Sequence, residues 1–331
     1  MSTPTQARAE REDSPAQFGA PVRFLPYFDW RQYVIYIVFA VIFAVFAVTL
    51  SKDGFLNHQN LLQIVEQTAM VSVEATAMTF VIAAAEIDLS IGSVAGLASV
   101  VTALALGKFG LGLGILAGIG VGVGAGVVNG GLVTVLRIPS FLVTLGMLGV
   151  AEGVARWVTN ESAEPVTNGS FIQVFGGGSI GTVSGLVVWT LVVVAAGAVV
   201  LRKTAFGRQV FATGGNRIAA EYSGVSTQRI KFAVLLLSGL AAALAGMLYA
   251  GRLQSGRFDW GSGDELSAIA ATILGGTSLF GGGGSVVGAL FGSLMIGLIN
   301  NGLILAGFGV SQQEVIQGVI IIFAVALGRR K

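Results

Sequence analysis

The 331-residue chain contains no cysteine, one histidine (His58) and only six prolines. The absence of cysteine excludes disulfides, thiol chemistry and cysteine-ligated metals. One histidine and scattered carboxylates do not form a metal-binding cluster, and no serine–histidine–aspartate arrangement suits nucleophilic catalysis. We therefore expect no metal, no cofactor and no catalytic residue in this chain.

Charged residues are also scarce. They make up 11% of the chain, whereas about a quarter of an ordinary soluble domain is charged. Hydrophobic residues account for 54%, and the mean hydropathy is +0.82. The formal net charge of +2 is far too small to attract a nucleic acid. The composition therefore predicts an all-α integral membrane protein whose surroundings are the lipid bilayer.

Ten segments are long and apolar enough for a membrane span, which needs about 20 mostly apolar residues. Their approximate bounds are 32–50, 61–84, 89–107, 112–135, 139–158, 184–201, 231–251, 264–280, 285–306 and 310–328. A cytoplasmic N-terminus places most of the 19 lysines and arginines inside, as the positive-inside rule favours. We expect both termini in the cytoplasm, a flexible cytoplasmic tail at 1–31 and one transmembrane domain at 32–331.

Glycine is abundant, at 49 residues, and part of it is periodic. One series recurs at every fourth position from Gly110 to Gly130, and a second comprises Gly284, Gly288 and Gly292. This spacing keeps the glycines on one helix face, where a neighbouring helix can approach closely. It favours helix packing, and a smooth face lining a passage is the alternative.

Two polar segments interrupt apolar runs, at Ala85–Ser90 (AEIDLS) and Ile273–Ser285 (ILGGTSLFGGGGS). Broken helices at membrane depth are tolerated where they are buried in protein or face a wet cavity, and paired breaks point to a transport path. We expect a translocation path along these breaks. Its candidate residues are Asp88, Ser90, Asn129, Phe141, Gly275, Gly276, Asn300 and Asn301.

Each of these candidates also has a purely structural interpretation. Asp88 stands where it can cap the helix that follows, by accepting backbone N–H groups. The asparagines can hydrogen-bond between helices, and Phe141 can pack in the core. Glu152, a further acid inside a span, is expected to pair with Arg156 four residues later.

A polar segment at 202–231 separates two apolar spans and carries six basic residues and one acid, Glu221. A strongly positive short loop is expected in the cytoplasm. Asn216 as N-cap and Gly224 as the C-terminal stop predict a helix of one to two turns inside it. An ordered helix there indicates a docking element. No GK[ST] sequence follows the glycine run Gly281–Ser285, so energy must come from another protein.

Four stretches together resemble the permease subunits of bacterial ABC importers for monosaccharides, of the ribose, xylose and galactose type. They are Ile87–Ser93 (IDLSIGS), Ile138–Met147 (IPSFLVTLGM), Gly214–Gly224 (GGNRIAAEYSG) and Leu266–Phe308. Branched-chain amino-acid permeases share the DLS-type motif, but the NNGL and GGTSLFGG runs look more like the sugar branch. The chain departs from these relatives at Ala84–Glu86, where glycines are frequent, and at Glu152-Gly153, where an Arg-Gly pair is frequent.

The resemblance implies a type II-like importer permease with about ten spans and broken helices, in the bacterial inner membrane. It implies three protein partners: a second permease copy in a homodimer, a cytoplasmic tandem ATPase and a periplasmic sugar-binding protein. The segment 202–231 is then the cytoplasmic coupling loop. Its ATPase-coupling residues are Asn216, Arg217, Ile218, Ala219, Ala220, Glu221, Tyr222 and Gly224.

The leading hypothesis is therefore a non-enzymatic transport subunit that carries a monosaccharide or related polyol. A branched-chain amino-acid-type ABC permease is one alternative. An ion-coupled secondary transporter is another, because Glu66, Glu74 and Asp88 fall in or beside predicted spans, with Glu66 and Glu74 two turns apart on one helix face. A membrane scaffold without transport is the third.

Overall fold

The computed structural model describes residues 34–181 and 183–328, so the predicted tail at 1–31 lies outside the described residues. Within these ranges the chain forms fourteen α-helices and four two-residue strands. The helices are α1 (Val34–Thr49), α2 (His58–Gln67), α3 (Ala69–Ala83), α4 (Ile91–Phe109), α5 (Leu111–Thr134), α6 (Ser140–Thr159), α7 (Gly169–Phe175), α8 (Gly185–Lys203), α9 (Ala205–Gly215), α10 (Arg217–Tyr222), α11 (Thr227–Arg252), α12 (Asp264–Leu274), α13 (Val286–Leu305) and α14 (Val310–Gly328). The strands are β1 (Glu164–Pro165), β2 (Ser179–Ile180), β3 (Val183–Ser184) and β4 (Ser255–Gly256), and they pair antiparallel as β1 with β4 and β2 with β3.

Six helices within the described ranges are long and apolar enough to cross a membrane: α4, α5, α6, α8, α11 and α13. Helices satisfy their own backbone hydrogen bonds, as the bilayer interior requires. The structure thus agrees with the predicted class, an all-α membrane protein. Helices α5, α6 and α8 expose large apolar side chains such as Leu116, Val150 and Leu191, which suits a lipid environment.

The centre of the fold is α3, in which every residue except Val71 is buried. Helices α8, α11, α12 and α13 pack around it, and α11 also packs along α4 and α5. A helix that is apolar on all sides has to be enclosed by other helices. The main hydrophobic cluster accordingly runs through α3, α4, α11 and α12.

The periodic glycines lie at helix crossings. A Cβ on Gly122 of α5 would overlap the backbone carbonyl of Gly239 in α11. Gly288 of α13 meets the backbone of Gly275, the residue that ends α12, in the same way. The packing interpretation of the glycine ladders is therefore confirmed at these positions, since the missing side chains let two backbones touch.

Both predicted helix breaks are present. Helix α3 ends at Ala83 and α4 begins at Ile91, while α12 ends at Leu274 and α13 begins at Val286. The breaks are joined directly, because the backbone N–H of Gly282 donates to the carbonyl of Ala83 at 3.0 Å. Gly282 adopts φ +78°, a conformation that favours glycine.

The segment 202–231, the predicted coupling loop, contains two helices, α9 and α10, where the sequence predicted only the second. Thr204 begins α9 by accepting the N–H of Gly207 at 3.3 Å. Val210 is fully buried, and the ring of Phe206 stacks on Phe80 with centroids 6.1 Å apart. The apolar residues among the basic ones therefore hold α9 against the membrane domain rather than leaving it in solvent.

Candidate functional site

Helix α10 has the predicted limits. Asn216 is the N-cap, and its Oδ1 accepts the N–H of Ala219 at 3.0 Å. At the other end Gly224 has φ +83°, and its N–H donates to the carbonyl of Glu221 at 3.0 Å. The N–H of Val225 donates to the carbonyl of Ala220 at the same distance, which completes a Schellman motif. Both ends of this short helix are therefore fixed by local hydrogen bonds.

One face of α10 is free and the other is buried. Tyr222 is 90% exposed and Ile218 is 66% exposed, one turn apart, whereas Ala220 is 4% exposed. An aromatic and an aliphatic side chain held out on a capped helix form a natural contact for another protein. Ala220 faces the protein's own interior, so a bulky residue there would disturb packing before it disturbed docking.

Glu221 stabilises α10 through its side chain. Its Oε1 accepts the Thr227 hydroxyl at 2.6 Å and Nε of Arg217 at 2.9 Å. The hydroxyl of Thr227, followed by the guanidinium of Arg217, lowers the pKa of the Glu221 carboxyl. Since Thr227 is the first residue of α11, Glu221 links the short helix to a long membrane helix.

A cavity of about 320 Å³ lies between α10 and the first helix break. Glu86 of the break, Arg217 of α10 and Lys231 of α11 all line it. Glu86 and Lys231 form an ion pair with side chains 7% and 17% exposed. Phe141, a predicted path residue, lines the same cavity. The sequence therefore missed an ion pair that joins the first break to the helix following the coupling loop.

The first break is also fixed to the start of α6. The N–H of Ile87 donates to the Ser140 hydroxyl at 3.1 Å, and the N–H of Leu89 donates to the Thr144 hydroxyl at 3.0 Å. These bonds satisfy backbone groups that a helix break leaves without partners. The extended segment can therefore persist inside the protein.

Three predicted path residues form one buried network. Asp88 Oδ1 accepts the Ser90 N–H at 2.8 Å and its hydroxyl at 2.6 Å. Nδ2 of Asn129 donates to the same hydroxyl at 3.0 Å. All three residues are almost completely buried. Asp88 thus accepts a backbone N–H at the start of α4 as predicted, although the N-cap position itself belongs to Ser90.

The neighbouring asparagines of α13 have different surroundings. Asn301 is buried and exchanges two hydrogen bonds with Asn60 of α2, at 2.8 and 3.1 Å. Asn300 lines a cavity. Gly275 packs against α13, and Gly276, with φ +89°, begins the second break. The structure therefore brings Asn300 and Phe141 to cavities and places Asn301 and Gly275 at helix contacts.

The cavity at Asn300 measures about 550 Å³ and is lined by α12, α13 and α14, the α2–α3 junction, and Tyr249 near the end of α11. Asp264 lines it and accepts the Tyr249 hydroxyl at 2.6 Å. Asp264 and Glu265 form the first turn of α12, at the start of the predicted span 264–280.

The other acidic residues in or near the predicted spans have three different surroundings. Glu152 pairs with Arg156 at 2.6 Å, as predicted. Glu66 and Arg252 line one cavity. Glu74 is fully buried opposite the Asp264 carboxyl, and no donor of the described residues hydrogen-bonds to it. Among the described residues, no group of three or more His, Asp or Glu could hold a metal ion.

Comparison with known proteins places this geometry in a family. A family model described as "Branched-chain amino acid transport system / permease component" matches residues 60–325. "Probable ABC transporter permease protein YphD" of Escherichia coli (strain K12) is 40% identical over 291 residues, covering 87% of this chain and 86% of its own. The ribose import permease protein RbsC of Bacillus subtilis (strain 168) is 41% identical over 298 residues, covering 87% and 90%.

The L-arabinose ABC transporter permease protein AraH of Azospirillum brasilense is 34% identical over 296 residues, covering 88% of this chain and 85% of its own. No solved structure gives a significant match. The matches extend over the two helix breaks, the segment 202–231 and the three cavities. The chain is a multi-pass membrane protein that belongs to the family of branched-chain amino acid transport system permease components, among the permease subunits of ABC transporters.

Proposed function

We propose that this chain is the permease subunit of an ABC importer for a monosaccharide or related polyol, and that it forms the translocation path. The relatives named for ribose and L-arabinose support the solute class. The observation that carries the proposal is the pair Ile218 and Tyr222, exposed on a helix capped at both ends. Such a helix can transmit force without unwinding.

Ten spans fit the described helices. Besides the six long apolar helices, the proposed spans are α1, the nearly continuous pair α2 and α3, α14, and the segment 264–280, of which the eleven-residue α12 is the first part. An even number of spans puts both termini in the cytoplasm, where most of the basic residues then lie. In this topology residues 32–331 form one transmembrane domain in the bacterial inner membrane, preceded by the cytoplasmic tail 1–31.

The subunit works with three kinds of partner. A tandem ATPase docks on the coupling residues Asn216–Tyr222 and Gly224, and supplies the energy that this non-enzymatic chain does not generate. A periplasmic sugar-binding protein delivers the solute to the opposite side. A second copy of the chain completes the channel as a homodimer, in keeping with the prevalence of two-fold assemblies among oligomers.

Two contacts carry motion from the ATPase to the path. Gly214, near the end of α9, touches Ala83 and Gly282, where the two helix breaks meet. Lys231, at the start of α11, pairs with Glu86 of the first break. A shift of α10 therefore reaches both breaks through packed backbone and one ion pair. Packed elements of this kind move between discrete arrangements rather than bending continuously.

The path residues divide into lining and supporting groups. Phe141 and Asn300 line two different cavities. The remaining path residues support the walls by hydrogen bonding, helix contact or a turn: Asp88, Ser90, Asn129, Asn301, Gly275 and Gly276.

Reconstituted uptake tests this proposal. The permease, its ATPase and its binding protein are placed in vesicles, and uptake of labelled D-ribose, L-arabinose and L-leucine is measured with and without ATP. We expect ATP-dependent uptake of a sugar that survives collapse of the proton gradient by an ionophore. Uptake of leucine alone would assign the chain to amino-acid transport, and uptake that needs the gradient but no ATP would make it a secondary transporter.

A further inference from the structure

The cavity at Asn300 is large and polar for a space inside a membrane domain. Its volume of about 550 Å³ lies within the range of ordinary ligand pockets, roughly 300–1,000 Å³. Hydroxyl, amide and carboxyl groups reach it from several helices. The polar lining residues include Gln67, Thr68, Ser262, Asp264, Ser267 and Gln317. Polar groups at membrane depth are costly unless they meet a partner, so a lining of this kind favours a polar occupant.

Asp264 is the charged group of the cavity, and its position is fixed. The Tyr249 hydroxyl donates to its Oδ2 at 2.6 Å. The ring of Tyr249 stacks on Trp260, with centroids 6.3 Å apart and planes at 14°. An ionised carboxylate has about four acceptor sites. The Tyr249 hydroxyl occupies one and the buried Glu74 carboxyl faces another, so sites remain for hydroxyl donors from the cavity.

Two amide side chains complement the carboxylate. Nε2 of Gln317 donates to the Ser267 hydroxyl at 2.5 Å, which holds the amide at the wall. The side chain of Asn300 makes no hydrogen bond within the described part of the chain, so both its donor and its acceptor are available. The wall therefore offers acceptors and donors at separate points, which suits a molecule carrying several hydroxyl groups.

We propose that this cavity is a binding site for a neutral polyhydroxylated solute, a monosaccharide, with Asp264 and Asn300 hydrogen-bonding its hydroxyls. The assignment rests on the proposed function and deepens it, because it gives the permease its own solute selectivity. Hydroxyl groups form charge-assisted hydrogen bonds with the Asp264 carboxylate.

Because the chain has no cysteine, a single introduced thiol reports on the cavity. Ser262 is exposed and lines it, whereas Ser51 is exposed and does not. The purified S262C and S51C variants are labelled in detergent with a thiol-specific methanethiosulfonate reagent, with and without millimolar D-ribose or L-arabinose. We expect one of these sugars to slow labelling of S262C several-fold and to leave S51C unchanged, with L-leucine affecting neither.

The role of Asp264 is tested in the same background. Adding Asp264→Asn to S262C is expected to abolish protection by the sugar. Tyr249→Phe keeps the ring but loses the hydroxyl that donates to Asp264, and it is expected to weaken protection by the sugar. This second variant tests the role of Asp264 even if D264N does not fold. Protection that persists at full strength in the folded variants would overturn the assignment of Asp264.

Labelling of S262C that neither sugar changes, or that only leucine slows, would overturn the site. The labelling requires neither the ATPase nor transport, so it is independent of the uptake experiment. Sugar uptake without protection would refute this site and leave the proposed function standing. Protection without uptake would support the site and refute the transport assignment.

Discussion

Lys231 and Glu86 form a buried ion pair between the second turn of α11 and the first helix break. The pair adds a side-chain contact to a break that is otherwise held by hydrogen bonds of its backbone N–H groups. It connects the end of the coupling loop to the break that lies at the centre of the proposed path.

Removing one partner of this pair should destabilise the protein. Lys231→Met leaves the Glu86 carboxylate buried without its counter-charge, which typically costs about 3–5 kcal/mol. The double variant Glu86→Gln/Lys231→Met removes both charges and should recover much of the loss. The thermal midpoint of the purified permease measures both effects. Glu152→Gln, which breaks the more exposed pair with Arg156, is the control, with an expected loss of less than about 1 kcal/mol.

Equal midpoints for Lys231→Met and the native protein would contradict the buried ion pair. A double variant less stable than Lys231→Met would also contradict the buried ion pair. The unpaired Glu86 carboxylate would then not be the cause of the stability lost in Lys231→Met.

The glycine crossing between α5 and α11 should tolerate no added side chain. Gly122→Ala places a Cβ against the carbonyl of Gly239, and overpacking of this kind costs about 1–3 kcal/mol. Gly124, two positions along α5, has open space around its Cβ position. Gly124→Ala should therefore be neutral or stabilising, since alanine favours a helix over glycine. Thermal midpoints of the two variants measured side by side test the packing, and equal midpoints would contradict it.

The Glu221 carboxyl should titrate below its usual range. Its folded pKa is lowered by Thr227 and then by Arg217. Its contribution to α10 is therefore fully present above the unfolded pKa, near 4.5, and is lost as the pH falls through the lower folded pKa. Thr227→Val removes the hydroxyl donor and should raise the pKa of Glu221.

Carbon-13 NMR of labelled glutamate side chains measures this titration. Ser223→Ala is the control, because the Ser223 hydroxyl donates to the carbonyl of Ala219 and not to Glu221. The hydrogen-bond assignment fails if Thr227→Val leaves the titration unchanged, or if Ser223→Ala shifts it as much.

Glu74→Gln should preserve ATP-driven uptake. Glutamine has no titratable group, so the variant cannot carry a proton. Its amide N–H can donate to the facing carboxyl of Asp264, which improves the buried contact. Glu66→Gln, the same change at the other acid of this span, serves as the matched variant. Uptake by both variants at near-native rates is the expected result. Loss of uptake in a Glu74→Gln permease that still assembles with its ATPase would instead favour ion coupling.

Structural features that depend on residues close together in the chain could be predicted from the sequence. The limits of α10 follow from an N-cap asparagine at 216 and a glycine with positive φ at 224, and the Glu152–Arg156 pair follows from a spacing of four. The two helix breaks were predictable because polar and glycine-rich stretches interrupt apolar runs. Each of these features depends on a short run of consecutive residues, within which rules for helix ends and side-chain spacing apply.

Features that depend on tertiary contact could not be predicted. The pairs Glu86–Lys231 and Asn60–Asn301 join residues that only the fold brings together. Helix α9 was missed because the basic residues of the segment 202–231 predicted a cytoplasmic loop, whereas buried Val210 and the stacked Phe206 decide its position. The Asn300 cavity takes its walls from six helices, and no single stretch of sequence predicts it.

The role of α10 is the central claim, and uptake by a Tyr222 variant tests it most directly. Tyr222→Ala removes an exposed aromatic side chain, and an interface anchor of this type contributes about 2 kcal/mol or more, which is more than roughly tenfold in affinity. Phe109→Ala, at an exposed aromatic on α4 far from the coupling loop in sequence, is the control. ATP-dependent sugar uptake and solute-stimulated ATP hydrolysis are measured together in vesicles containing the ATPase and the binding protein. We predict that Tyr222→Ala lowers both at least several-fold while the permease inserts and folds normally, and that Phe109→Ala lowers neither. Native uptake by Tyr222→Ala, and also by Ile218→Asp, would contradict the assignment of α10 as the ATPase contact.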